Sequence, residues 1–312
     1  MHRRRFVKTS LATGLTVATC EHLPLLARMS GHNTPAPESP RVPLPAGRIG
    51  KLNVTRLICG GNLFSGVAHS GELTYVSKLL KHYFVEDKIL DTLQLCEESG
   101  INTAILRTDD HIVRVLKRYR KERGGKFQWI AQTYPKIGKL RDNVQMAIDN
   151  GAGGAFMQGQ ISQQFYKQGR VDLLGEVVAF IRQNGLAAGV GAHTVAVLRA
   201  VEETKIEPDF WFKTFNSSGY ALGANDGKNA ATGLGESCDD VATYMKTTNK
   251  PWIAFKVLAA GRVRPSEGFD LAFRKGADFV NVGMYDFQVE EDAALVKKVV
   301  AAHAQRERRW NV

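Results

Sequence analysis

Apolar residues recur along the chain in two alternating periodicities. Short apolar runs rich in valine, isoleucine and phenylalanine are followed by longer segments with apolar positions every three to four residues. The first pattern is typical of buried strands and the second of amphipathic helices. The alternation recurs eight times, and it predicts strands at residues 55–59, 102–106, 127–133, 154–158, 187–192, 210–214, 252–257 and 279–282.

Glycines mark the ends of the predicted helices. A helical pattern over residues 85–99 stops at Gly100, and another over residues 173–184 stops at Gly185. Glycine directly after the last helical turn is a common cap. Because strand and helix alternate without a Gly-x-Gly-x-x-Gly turn after the first strand, the pattern favours a closed (β/α)8 TIM barrel over an open dinucleotide-binding sheet.

The amino-terminal segment does not follow this pattern. An arginine run, a phenylalanine and Lys8 precede a weakly apolar stretch, which resembles a twin-arginine (Tat) export signal. We therefore expect a signal peptide at residues 1–27, a linker at 28–45 and the barrel at 46–312. A disordered basic tail is the alternative. Export through the Tat translocon would place the protein in the periplasm or another extracytoplasmic space.

Cysteine usage and charge limit the remaining function classes. Cys20 follows a poor lipobox, so cleavage near Ala27 is expected rather than lipid attachment. Cys59, Cys96 and Cys238 show no paired spacing, which predicts neither a disulfide framework nor a zinc site. The net charge of +11 is spread along helices without a nucleic-acid motif, so no nucleic-acid partner is expected. No apolar run is long enough for a stable membrane span.

Polar residues follow most of the predicted strands. The active site of a TIM barrel lies at the carboxyl ends of its strands, although polar residues also occur there because solvent begins there. Predicted catalytic residues are Lys213, Lys256, Asp110 and His193. Predicted substrate-binding residues are Asn62, Arg107, Gln132, Gln158, Asn216 and Asp286.

Two of these residues are lysines in apolar strands. If Phe210 and Phe212 pack against the helices, Lys213 points into the barrel, and the same argument applies to Lys256. Two ammonium groups on neighbouring strands would lower each other's pKa, and a neutral lysine is a nucleophile suited to Schiff-base chemistry. The alternative is that each lysine pairs with a carboxylate such as Asp109, Asp110 or Asp286.

The segments around these lysines resemble the class I aldolases of the deoxyribose-phosphate type. The resemblance covers about a quarter of the chain and implies that Lys213 forms the Schiff base while Lys256 tunes it. The chain departs from that family in a long Gly-rich loop at 215–237 and in the Gly283-Met284 pair. That pair replaces the Gly-Thr or Gly-Ser that binds phosphate in the family, so the resemblance does not imply a phosphorylated substrate. The similar segments are Asp209-Phe-x-Phe-Lys213-Thr214, Asp239-Asp240-Val241, Phe255-Lys256-Val-Leu-Ala-Ala-Gly261 and Gly276-Ala277-Asp278.

A second resemblance, to the aldo-keto reductases, covers more of the chain. Residues 47–61 are similar to their amino-terminal β-hairpin and first strand, which implies a short hairpin before the barrel. Their catalytic tetrad of Asp, Tyr, Lys and His is absent, because Ile105, Asp110, Thr133 and Gln158 stand at those positions. The proton donor of a hydride-transfer site is therefore missing.

The sequence thus predicts an exported barrel enzyme that acts on a small carbonyl or sugar-derived substrate without a cofactor. The alternatives are an NADP-dependent oxidoreductase with a non-standard site, a metal-assisted sugar isomerase and an inactive sugar-binding barrel. For the isomerase, a divalent metal would be held by His193 with Asp109, Asp110 and His69.

Overall fold

A ring of eight parallel strands, closed on itself, follows a short antiparallel hairpin in the computed structural model of the chain. The structure describes residues 43–71, 73–216 and 236–311. The hairpin strands are β1 (Ala46–Ile49) and β2 (Leu52–Thr55). The barrel strands are β3 (Leu57–Gly60), β4 (Thr103–Arg107), β5 (Gln128–Thr133), β6 (Gly154–Met157), β7 (Ala187–Ala192), β8 (Phe210–Thr214), β9 (Trp252–Phe255) and β10 (Phe279–Val282).

Helices follow the strands around the outside of the ring. They are α1 (Val76–Tyr83), α2 (Glu86–Glu98), α3 (Asp110–Arg123), α4 (Asp142–Asp149), α5 (Gly159–Lys167), α6 (Val171–Gln183), α7 (Val195–Glu203), α8 (Cys238–Met245), α9 (Pro265–Arg274) and α10 (Asp286–Ala302). The predicted TIM barrel and its amino-terminal hairpin are therefore confirmed, and every predicted barrel strand is present. The predicted signal peptide at 1–27 and nearly all of the linker at 28–45 lie outside the described residues.

Local sequence explains where several elements begin and end. Gly100 and Gly185 follow α2 and α6 with φ of 90° and 77°, the left-handed region that glycine adopts without strain. Asp109 accepts a hydrogen bond from the Ile112 backbone N–H at 3.0 Å and so caps α3. Among the described helices, none has an apolar stretch long enough to cross a bilayer.

The barrel interior is filled by large side chains from alternating strand positions. Phe210 and Phe212 of β8 lie in this inner cluster, together with Ile58, Ile105, Ile130, Phe156, Ile253 and Phe279. Strand β7 contributes glycines instead, and a Cβ on Gly189 would lie 2.3 Å from the Phe210 ring. The small residues of β7 thus leave the room that the phenylalanines of neighbouring strands occupy.

A buried carboxylate anchors the carboxyl-terminal segment at the amino-terminal end of β10. Asp278 is fully buried and pairs with Arg306 at 2.9 Å and Arg308 at 2.6 Å. It also accepts a hydrogen bond from the Trp252 backbone N–H at 2.9 Å. This network lies at the opposite end of the strands from the predicted active site, so its charges hold the fold together there.

Candidate functional site at the carboxyl end of the barrel

Lys213 does not point into the barrel. Phe210 and Phe212 belong to the inner cluster, so the alternate positions Trp211 and Lys213 face the surrounding helices. The prediction that the phenylalanines pack against the helices is therefore wrong. The inward position at this end of β8 is occupied by Thr214.

The two lysines also lie at different heights. Lys213 pairs in register with Ala254, which places Lys256 two residues further toward the carboxyl end. Burial lowers the pKa of Lys213 to about 8, opposed by the nearby Glu236 carboxylate, and burial alone lowers the pKa of Lys256 to about 8. The pKa depression that we predicted for both lysines is therefore present, but its cause is desolvation and not mutual repulsion.

Lys213 joins the ends of two strands to the segment before α8. Its Nζ donates to the backbone oxygens of His193 at 2.9 Å and Thr214 at 3.1 Å, and lies 3.3 Å from Oε2 of Glu236. Oε1 of Glu236 accepts from the backbone N–H of Val195, the first residue of α7, at 2.6 Å. The Lys213 ammonium group is thus surrounded by acceptors, which is the arrangement of a buried structural cation.

Lys256 begins a strained turn directly after β9. Its φ is 62°, and Ala259 and Ala260 follow with φ of 48° and 54°. Side chains other than glycine rarely adopt this conformation, and such strain concentrates at functional sites. The Nζ atom of Lys256 is buried, so the turn holds an amine of lowered pKa at the carboxyl end of the barrel.

His193 lies beside this lysine at the end of β7. Its Nδ1 shares a hydrogen bond with Oγ1 of Thr214 at 2.7 Å, and its ring packs against Phe255 with centroids 5.6 Å apart. Its Nε2 is buried and has no hydrogen-bond partner among the described residues. Burial, followed by the charges of Lys256 and Lys213, holds the pKa of His193 well below its usual value, so the ring is neutral.

A second histidine completes the basic cluster. His69, in the loop after β3, has a φ of 51°, and burial together with the charge of Lys256 lowers its pKa to about 4. The charge of Lys256 thus acts on both imidazoles, which places Lys256, His193 and His69 in one site at the mouth of the barrel. Two neutral imidazoles and an amine of pKa about 8 form a set able to add to a carbonyl and exchange protons.

The other predicted residues divide between the mouth and structural roles. Arg107 and Gln132 share the inward face with the inner-cluster residues that precede them in β4 and β5, and Asn62 is exposed after β3. Asp110 is the exposed first residue of α3 and forms no ion pair with Lys213 or Lys256 among the described contacts. Of these residues, Arg107 and Gln132 lie toward the carboxyl ends of β4 and β5, across the ring from β9 and Lys256.

Three further predicted residues are held by the fold. Oε1 of Gln158 accepts from the Gln160 and Ile161 backbone N–H groups at 2.9 and 3.1 Å and so caps α5. Asp286 pairs with Lys88 and accepts from the Tyr83 hydroxyl at 2.6 Å, so its carboxylate is engaged by other residues than the two lysines. Asn216 is buried just past the end of β8, where its backbone oxygen accepts from the Cys238 thiol at 3.0 Å.

The residues that the sequence resemblance aligns with the reductase tetrad have structural roles here. Ile105 packs in the inner cluster, Thr133 donates to the Phe156 backbone oxygen at 2.9 Å and Gln158 caps a helix. For the metal alternative, no three His, Cys, Asp or Glu side chains come together within the described part of the chain. Asp109, one of its suggested ligands, is engaged by Arg107 at 3.1 Å.

Sequence reasoning missed two residues of the site. Glu236 follows a long glycine-rich segment and shows no spacing that would connect it with Lys213. Thr214 was hidden by the wrong choice of strand face, although its position next to Lys213 made it the inward residue once Phe212 was placed inside. The sequence did contain one signal for the correct face of β8, because its large aromatic residues Phe210 and Phe212 alternate with Lys213 and can fill the barrel interior.

Comparison with known proteins places the chain by fold alone. No family model matches the sequence. No curated protein sequence matches it significantly. Solved structures do match over most of the chain, at sequence identities that show the fold and not the activity.

The most informative of these structures belong to two enzyme groups. A proposed aldo-keto reductase from Pseudomonas aeruginosa matches with a TM-score of 0.59 and 17% identity, over 82% of this chain and 94% of that one. Glycerol dehydrogenase from Gluconobacter oxydans matches with a TM-score of 0.54 and 11% identity, over 83% and 95%. A proposed deoxyribose-phosphate aldolase from Coccidioides immitis matches with a TM-score of 0.50 and 14% identity, over 81% and 89%. The protein is thus a TIM barrel similar in fold to aldo-keto reductases and to aldolase-type barrels, the two groups that its sequence resembles.

Proposed function

We propose that the protein is a barrel enzyme that forms a Schiff base between Lys256 and a small carbonyl-bearing, sugar-derived substrate. The observation that carries this proposal is the position of Lys256, whose buried amine of lowered pKa lies among two neutral imidazoles at the carboxyl end of the barrel. Perturbed titratable groups that cluster at this end of a TIM barrel are characteristic of an active site.

The chemistry follows from these groups. The lone pair of the neutral Lys256 amine attacks the substrate carbonyl carbon, and the resulting carbinolamine loses its hydroxyl as water to give an iminium. Addition leaves the substrate oxygen to take one proton from solvent, and the nitrogen must lose a proton that the departing hydroxyl takes up to leave as water. The neutral Nε2 of His193, which has no competing partner among the described residues, can accept that proton from the nitrogen and return it to the hydroxyl. The iminium then serves as the electron sink for cleavage or formation of the adjacent carbon–carbon bond.

Lys213 takes a different part from the one its sequence context implies. Its ammonium group is saturated by two backbone oxygens and Glu236, and it faces the helices. It fixes the ends of β7 and β8, and therefore the backbone that carries His193 and Thr214. In this proposal Lys213 is a positioning residue and Lys256 is the nucleophile.

Reductive trapping tests this assignment. The full-length protein is incubated with pyruvate, glyceraldehyde or 3-keto-glucose and cyanoborohydride, and the intact mass is measured. We expect an adduct with the wild type and with Lys250→Met, whose lysine pairs with Glu207 at 2.5 Å far from the mouth. The adduct should disappear in Lys256→Met, and an adduct retained by that variant would refute the role of Lys256.

We also propose that the enzyme works outside the cytoplasm. The support is the arginine run at residues 3–5 ahead of a weakly apolar stretch, a pattern that is typical of twin-arginine signals.

A further inference from the structure

A basic cleft lies on the rim of the barrel opposite Lys256. It has a volume of about 480 Å³ and is lined by residues that include Arg107, Tyr134, Lys136, Lys139, Asn143 and Met146. In the strand order, β4 and β5 stand across the ring from β9. The cleft is therefore separate from the amine proposed to form the Schiff base.

The guanidinium group at the cleft is held in a fixed orientation. Nε of Arg107 donates to Asp109 at 3.1 Å, and Asp109 is itself fixed because it caps α3. The guanidinium lies over the ring of Tyr134, 4.6 Å from its centroid. Because only Nε is used in the described hydrogen bonds, the two terminal amino groups remain to bind a ligand as a fork.

The backbone beneath this pair is cross-linked. Oδ1 of Asn143 accepts from the Tyr134 backbone N–H at 2.8 Å, and its Nδ2 donates to the Thr108 backbone oxygen at 2.9 Å. One side chain from α4 thus joins the segments that follow β4 and β5. The floor of the cleft is preorganised and needs little ordering when a ligand binds.

The far wall adds positive charge. Lys136 and Lys139 flank a tight turn closed by a backbone hydrogen bond of 2.8 Å and a left-handed glycine, Gly138, with φ of 80°. Asp142 is a carboxylate on the same lining and opposes them, while Asp109 is occupied by Arg107. The cleft thus has three cations against one carboxylate, Asp142, that forms no ion pair within the part of the chain that the structure describes.

We propose that this cleft binds the oxyanion group of an acidic sugar, with Arg107 as its bidentate partner and Tyr134 as the surface on which the sugar ring packs. A planar fork matches carboxylate and phosphate oxygens in a way that neutral hydroxyls do not. The inference goes beyond the Schiff-base proposal and does not depend on it, because no part of the cleft includes Lys256.

Calorimetric titration of the full-length protein tests this site. The probes are D-glucuronate, D-glucose 6-phosphate, inorganic phosphate and the neutral control D-glucose. We expect both acidic sugars to bind at least about tenfold more tightly than D-glucose, since charge-assisted forks are strong. The tighter of the two identifies carboxylate or phosphate as the preferred anion, and both results support the site.

Variants separate the cleft from general charge effects. Arg107→Met should weaken acidic-sugar binding about tenfold or more, whereas Arg170→Met, which removes an exposed cation paired with Asp172, should not change it. Tyr134→Leu should weaken binding of the acidic sugars but not of inorganic phosphate. Lys136→Gln with Lys139→Gln, in an exposed turn, should also lower the affinity for the acidic sugars.

Several results would overturn the inference. These are binding of D-glucose as tight as that of D-glucuronate, no heat of binding with either acidic sugar, or equal affinities for the Arg107→Met and Arg170→Met proteins. Lys256→Met should leave the affinity for acidic sugars unchanged. A failed trapping experiment would therefore refute the Schiff base and leave this site standing, and a failed titration would do the reverse.

Discussion

Oε2 of Glu236 lies 3.3 Å from Nζ of Lys213, whose side chain is fully buried. The other carboxylate oxygen of Glu236 caps α7 through the Val195 backbone N–H. One carboxylate therefore neutralises a buried cation and satisfies a helix end next to His193. The position of His193 therefore depends on Glu236, which is 23 residues from Lys213 in the sequence.

Replacement of Glu236 by glutamine should destabilise the protein by roughly 3 kcal/mol, because it leaves a buried ammonium group without its counter-charge. Denaturant unfolding measures the change. Glu207→Gln is the matched control, since Glu207 pairs with Lys250 and is largely exposed, and its loss should cost less than about 1 kcal/mol. Equal effects of the two variants would contradict a buried ion pair at Lys213.

The stability of Lys256→Met should depend on pH. Burial lowers the folded-state pKa of Lys256 to about 8 from its ordinary 10.5, so between these values the unfolded chain holds a proton that the folded chain lacks. Burial of the charged amine therefore has its full destabilising effect below pH 8, where Lys256 is protonated in both states. This effect disappears as the pH rises toward 10.5. At pH 7 the free energy of unfolding of the variant should therefore be higher than that of the wild type by up to roughly 3 kcal/mol. Unfolding curves at pH 7 and pH 10 measure it, and an advantage that does not shrink with pH would contradict the burial of this amine.

Gly189 of β7 should not tolerate a side chain while Phe210 packs against it from β8. Gly189→Ala would place a Cβ 2.3 Å from the Phe210 ring and should cost roughly 1–3 kcal/mol through overpacking. Phe210→Leu in the same protein should recover part of that loss, because the smaller side chain makes room. A double-mutant cycle measures the coupling, and strictly additive effects would show that the two residues do not meet in the barrel.

The sequence predicted the barrel well because its signals are local and repeated. Alternating strand and helix periodicities identified each of the eight strands, and Gly100 and Gly185 marked helix ends as predicted. Strand ends in such a fold are also the active-site end, so the sequence indicated Lys256, His193 and His69 as candidates before their contacts were known.

The geometry of the site could not be predicted in the same way. Period two identifies two faces of a strand but not which one is inside, and β8 has aromatic residues that suit either the barrel interior or the helix layer. The choice was settled by β7, whose glycines leave space inside for Phe210 and Phe212. The Lys213–Glu236 pair depends on a contact across a long segment, which no local pattern reveals.

The export proposal has its own test. Replacement of Arg4 and Arg5 by lysine should keep the precursor in the cytoplasm, because the arginine pair is the feature that twin-arginine translocation reads. Fractionation of cells that produce the wild type and the variant measures the location. Mature protein of the variant outside the inner membrane would contradict a twin-arginine signal.

The central claim is that Lys256 forms the Schiff base, and the most direct measurement is the site and pH dependence of reductive trapping. The protein is trapped with pyruvate, glyceraldehyde or 3-keto-glucose and cyanoborohydride over a range of pH, and the adduct is located by peptide mass mapping. We expect the adduct on Lys256, with a trapping rate that rises as the pH approaches about 8, where the amine loses its proton. An adduct on Lys213, or none under any of these conditions, would contradict the account.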